Sequence, residues 1–177
     1  LITNATAVTT YRYISIIPLS LMFLPQAVMN TDFVHLTENI FDKKNTYTYI
    51  KNYISMFAMI SIFGLIFTWF FSKEILSFFD ENFKPFDTSF FVLMMGTSSI
   101  LIFRGLFGNL LCSIGKINAN LYISSIAILL NCCGNFYLIP KFGIKGAAIT
   151  SASIMWFTSL ASTFAFFSLY PSFLKRR

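Results

Sequence analysis

One arginine, Arg104, stands inside an apolar run that extends over residues 88–114. A guanidinium placed in hydrocarbon costs roughly 2.5 kcal/mol or more, so it must be paired, hydrogen-bonded or wetted. Counted back from Lys116, it lies about 18 Å along a helix axis, near the middle of a bilayer. Thr97, Gly108 and Gly115 share its stripe, which reads as an inward face. Two chemistries fit. Backbone carbonyls or an acid from elsewhere in the protein cap the cation, or it lines an aqueous cavity and receives an anion. For the second task the planar fork of Arg offers two parallel donors. Arg12, at the edge of the first apolar run, is a second candidate; its other reading is a side chain that snorkels to the interface.

Amides form the second group. Asn120, Ser124, Ala127, Asn131 and Asn135 follow the spacing i, i+4, i+7, i+11, i+15 and share one helical stripe, with Tyr122, Leu129 and Phe136 roughly opposite. Amides facing lipid are costly, so this stripe must face protein or water. It is either interhelical glue, at about 0.6 kcal/mol per hydrogen bond, or the lining of a polar pathway.

Other reactive patterns are weak. Asp32, His35 and Glu38 are spaced i, i+3, i+6 where the first apolar run ends; this fits a solvated linker far better than a three-residue metal site. Cys112, Cys132 and Cys133 lie in or beside apolar runs without CxxC or Cys/His metal spacing, so they read as small packing residues. No Ser/His/Asp set, Gly-rich phosphate loop or carboxylate pair falls in a plausible pocket. A membrane-embedded glycosyltransferase or polymerase would need a catalytic acid or base and a large outer loop, and the chain offers neither. No enzyme, metal or cofactor is expected.

The elements that position these residues follow from composition. The 177 residues are 56% hydrophobic, 19% aromatic and 11% charged, against about 25% charged in a soluble domain. The apolar residues come in long blocks, which makes this an integral membrane protein. Five segments are long enough to cross a bilayer as helices, at about 7–33, 50–72, 88–114, 117–139 and 145–170. Strands of a β-barrel would be half as long and would alternate in polarity. Between the second and third lies an amphipathic stretch, 73–86, expected as a short helix at the interface. The loop after the first helix, Lys116 and the tail at 175–177 carry seven Lys and Arg; the opposite side carries five at most. The imbalance puts the tail in the cytoplasm. The net charge of +6 fits that membrane face better than a nucleic acid, since no basic patch interleaves with aromatics in a soluble segment. The opening Leu1 suggests a piece of a longer chain.

In the fifth helix Ala147, Ser151, Ile154, Thr158, Ala161 and Ala165 form a stripe with one bulky member, while Ile149, Trp156, Leu160 and Phe167 lie on the other side. Small side chains let backbones approach and bulky ones suit lipid. Pro140 interrupts the fourth helix's hydrogen bonding, and Gly143 and Gly146 allow a tight reversal.

That hairpin resembles the end of the polysaccharide flippases of the MATE/MVF (multidrug/oligosaccharidyl-lipid/polysaccharide) superfamily, the Wzx-type O-antigen exporters. The resemblance is carried by Gly115-Lys116, Asn131 and Asn135, Leu138-Ile139-Pro140, Gly143-Ile144 and Gly146-Ala147-Ala148-Ile149. It is specific over 115–150 and compatible over 7–114. Thr150-Ser151 replaces the Ala-Thr with which the family often continues. The resemblance implies a twelve-helix transporter of two six-helix lobes, with these five as the last. It implies a bacterial inner membrane and a lipid-linked oligosaccharide cargo on an undecaprenyl diphosphate carrier, flipped from the cytoplasmic to the outer leaflet for lipopolysaccharide assembly. The cargo's pyrophosphate would then be the anion that Arg104 receives. Membrane lipids, the N-terminal lobe and the polysaccharide polymerase machinery are the implied partners. A small-molecule antiporter of the same superfamily and a non-transporting structural subunit are the rival expectations.

Overall fold

The computed structural model describes residues 5–174, except for the side chains of Ala5, Thr6 and His35. The tail at 175–177 and its three basic residues therefore lie outside the described residues. The described chain is all-α and contains five helical stretches long and apolar enough to cross a membrane, so this is a multi-pass membrane protein.

The first stretch is broken. Helix α1 (Ala5–Leu21) and helix α2 (Phe23–Asn39) meet at Met22. Pro25 is the third residue of α2, where its missing N–H has no helical partner to lose. Pro18 lies inside α1 and does not end it.

Helix α3 (Lys43–Phe79) is longer than the expected 50–72 at both ends. Asp42 caps its start, accepting from the N–H of Lys44 at 2.9 Å and of Asn45 at 3.2 Å. At the other end the helix runs straight through the first half of the expected interfacial segment. No breaker falls between Ser72 and Phe79, and Leu76 is buried beside Ile14 and Phe90. Only Glu81–Phe86 turns away, as a short 3₁₀ helix whose start Asp80 caps. With 37 residues, α3 is about 55 Å long against a hydrocarbon core of about 30 Å, so its charged ends project from the bilayer.

The third crossing consists of α4 (Asp87–Ser99), a π-helical turn at Ile100–Arg104 and α5 (Gly105–Ser113). Helix α6 (Ile117–Phe142) passes Pro140 and stops at Gly143, whose φ of 56° and ψ of −132° only glycine adopts easily. Helix α7 (Ile144–Leu174) follows at once. Gly146 serves the reversal differently from Gly143: a Cβ there would come 2.4 Å from the carbonyl oxygen of Leu138, so it permits close approach of the two helices.

The packing has two apolar cores. One gathers Tyr53, Phe57, Phe107, Leu110, Phe166 and Tyr170. The other gathers Ile14, Leu76, Phe90, Leu93 and Met94. Between them α4 and α7, running parallel, meet through small side chains. Ser99 and Ser159 are fully buried with their hydroxyls 3.2 Å apart. Association in lipid rests on such close packing, because lipid tails are as apolar as Leu and drive nothing together.

The ends of the bundle sort as five alternating helical stretches require. Tyr170 donates to the Ile40 carbonyl at 2.8 Å and Phe41 stacks on Phe173, so the 40–47 and 170–174 ends lie together. Gly115 and Lys116 border Leu169 and Phe173 at the same end. At the other end Tyr13 packs on Phe79 and Phe83.

Candidate functional site

Arg104 is the last residue of the π turn. The closing bond of that turn runs from the Gly105 N–H to the Ile100 carbonyl, five residues back. A π turn admits one extra residue and re-aims the side chains around it. Here it turns Arg104 toward α6 and α7.

The guanidinium meets three neutral oxygens on two helices. Nη1 donates to Asn120 Oδ1 at 2.5 Å and to Ser162 Oγ. Nη2 donates to Ser124 Oγ at 3.3 Å. These acceptors are themselves held. Asn120 Nδ2 donates to the Gly108 carbonyl at 2.8 Å, and the Ser162 hydroxyl donates to the Thr158 carbonyl at 2.7 Å. Among the described residues the ion pairs are Lys73–Asp87 and Lys84–Glu81, so no carboxylate pairs with Arg104. Arg carries five N–H donors, and three are engaged in these contacts.

The head lies against Gly108, one turn toward the 113–117 end, and its partners Asn120 and Ser124 stand in the first two turns of α6. By Asn120 and Ser124 the guanidinium lies about 5–10 Å along the axis from the start of α6, and by Ser162 about 18 Å from the end of α7.

The amide stripe of α6 holds as a face. Ala127 is buried, and Asn120, Ser124, Asn131 and Asn135 are half-buried. Tyr122, Leu129 and Phe136 are 68%, 66% and 82% exposed. The stripe is not one cluster, however. Asn131 and Asn135 bond to each other, Asn135 Nδ2 donating to Asn131 Oδ1, and the buried Asn135 Oδ1 has no partner among the described residues. Asn131 lies eleven positions beyond Asn120, about 16 Å further along α6. Arg12 is exposed on α1. Its neighbour Tyr11 bonds to Ser151 of α7 at 2.9 Å, about 16 Å along α7 from Ser162. Of the expected site residues the fold thus brings Arg104 and Asn120 together and keeps Asn131, Asn135 and Arg12 apart from them.

The small-residue stripe of α7 needs a correction. Ala147, Ser151, Ile154, Thr158, Ala161 and Ala165 are half-buried, and the fully buried line runs one residue further round, through Ala148, Ala152, Ser159, Ser162 and Phe166. Helix α7 packs against α4 and α5 on one side and α6 on the other, so its buried arc is wider than one stripe. Ser162 was missed for that reason. The signal for it was the hydroxyl run Thr158, Ser159, Ser162, Thr163 in an otherwise greasy segment.

In the weak metal pattern, Asp32 Oδ2 accepts from the Tyr49 hydroxyl at 3.0 Å and Glu38 is exposed; the His35 side chain lies outside the described residues. Compared with family models, curated proteins and solved structures, the chain matches none.

Proposed function

We propose that this chain is the C-terminal lobe, five helices of six, of a lipid-linked oligosaccharide flippase of the polysaccharide branch of the MATE/MVF superfamily. It would sit in a bacterial inner membrane with its tail in the cytoplasm. Two lobes would rock around a shared cavity, the sugar head crossing through it while the lipid tail stays in the bilayer. No covalent step is involved.

The observation that carries this reading is Arg104 with neutral partners only, among the described residues. Its three partners are neutral acceptors, so among the described residues its charge is unmatched, and two of its five N–H donors remain over. It can therefore still receive an incoming anion, and the pyrophosphate of the cargo suits its fork. The hairpin motif at 115–150 supports the same reading independently of Arg104.

The test is export of surface polysaccharide in a flippase-null strain carrying the full-length protein. Arg104→Ala is expected to keep a normal protein level and lose most export. Arg104→Lys, which keeps charge without the planar fork, should retain part of it. Normal export with Ala ends the proposal. A fall in protein level that tracks the fall in export refutes the cavity role. Export kept with loss of resistance to a small cationic drug would point to the antiporter.

A further inference from the structure

At the end of the bundle remote from Arg104, α3 and α4 diverge around the 3₁₀ turn and leave a cavity of about 530 Å³. Trp69 and Phe91 form its apolar wall, their rings meeting edge to face at 5.2 Å. Lys73, Glu74, Asp87 and Thr88 form the polar wall. Lys73 Nζ and Asp87 Oδ2 face each other at 4.0 Å, beyond direct hydrogen-bond length. The other carboxylate oxygen of Asp87 is fixed by the Thr88 N–H at 2.6 Å, which leaves Oδ2 toward Lys73. Trp69 and Phe70 are exposed at the end of the apolar stretch of α3, and Lys73 and Glu74 are the first charges after it. The cavity therefore straddles the boundary between hydrocarbon and headgroups, where tryptophan anchors are found.

The charge set narrows the ligand. A simple anion meets two carboxylates and a simple cation meets Lys73. A molecule bearing both charges, with an apolar body, satisfies every wall. We propose that this cavity holds the headgroup of phosphatidylethanolamine from the leaflet at this end. Its phosphate would lie on Lys73 and its primary ammonium would donate to Asp87 Oδ2 and Glu74, with the acyl chains passing over Trp69. A choline headgroup has no N–H to donate. The volume suits a headgroup-sized ligand, pockets of this kind running from about 300 to 1,000 Å³. The inference does not depend on the transport reading.

The chain has two tryptophans, so Trp156→Phe, with any tryptophan elsewhere in the full-length protein also replaced by Phe, leaves Trp69 as the reporter in the site. The protein is reconstituted in phosphatidylcholine bilayers doped with phosphatidylethanolamine, phosphatidylcholine or phosphatidylglycerol carrying brominated chains, and quenching of Trp69 emission is read. Brominated phosphatidylethanolamine is expected to quench with a relative binding constant about three- to fivefold above brominated phosphatidylcholine. Lys73→Gln and Asp87→Asn, both in the charged wall and away from the apolar cores, should each bring the ratio to unity. Parity in the parent protein, or a ratio that both variants leave unchanged, overturns the proposal. Preference for phosphatidylglycerol makes the site an anion site and overturns it too. Loss of the preference on adding millimolar glycerophosphoethanolamine would assign the phosphate–amine chemistry to a soluble ligand in place of a lipid.

Discussion

Two glycine-to-alanine substitutions in membrane helices should move stability in opposite directions. Gly96 of α4 faces α7 where the two helices run side by side. A Cβ there would lie 2.7 Å from Ala152 Cα, 2.9 Å from Met155 Sδ and 3.0 Å from Ala152 Cβ. The first of these is backbone and cannot swing aside. Bringing that contact to an ordinary 3.4 Å opens the interface by at least 0.7 Å. Dispersion wells lose a quarter to a half of their depth over gaps of 0.5–1 Å, and α4–α7 is among the most extensive interfaces of the bundle. The Ser99–Ser159 contact at 3.2 Å lies one turn on and would stretch with it. Overpacking of this kind costs about 1–3 kcal/mol. Gly64 of α3 is the contrast, since its nearest neighbour is Met94 Cε at an ordinary 3.6 Å. Gly64→Ala should therefore gain about 0.5–1 kcal/mol of helix propensity. Equilibrium unfolding in mixed detergent and SDS micelles measures both. Gly96→Ala as stable as the parent, or less destabilising than Gly64→Ala, would refute the close-approach argument.

Gly143→Ala forces a side chain into a backbone region that costs of order 1–3 kcal/mol, so its unfolding midpoint in the same titration should fall. Ser162→Leu should reduce folded yield far more than Leu160→Ala, because Ser162 is fully buried and Leu160 is 55% exposed; size-exclusion chromatography of the two variants decides it. In a background lacking the native cysteines, a cysteine at Lys141 should react with an impermeant thiol reagent in intact cells. One at Lys44 should react only after permeabilisation, and the reverse order would invert the proposed topology.

How far the fold was legible depended on the neighbours of each helix. The five crossings announce themselves because runs such as 117–139 hold no charge at all. The face of α6 was readable because the helix packs mainly against α7, with α5 and the π turn near its start, so one simple stripe separates Asn120 from Tyr122. On α7 the same reasoning landed one residue off, since partners on two sides widen the buried arc. The prolines of the first stretch give no such signal. Pro18 and Pro25 look alike in the sequence, yet only Pro25 stands just after a break, and the local signal cannot tell a buried interior proline from one at a helix start. The end of α3 failed because Lys73 and Glu74 look interfacial, whereas Leu76 finds a core to enter. In the site, Arg104 and Asn120 were visible as costly residues in apolar runs. Their union with Ser162 was not, because it needs the π turn, and nothing in Ile100–Arg104 marks a departure from the α period.

That π turn also changes what insertions and deletions do to this chain. In an ordinary membrane helix, loss of one residue rotates everything beyond it by about 100° and shifts it by about 1.5 Å, which tears one face out of its packing. A π turn is an α-helix already carrying one residue in excess. Losing Ile102 would return the segment to the α period, with Gly96 and Ser99 before it still facing α7 and Gly105 and Phe107 after it still facing Pro25 and Phe166. The third crossing thus holds one position where the reading frame of the helix can slip by a single residue and the bundle keeps its register.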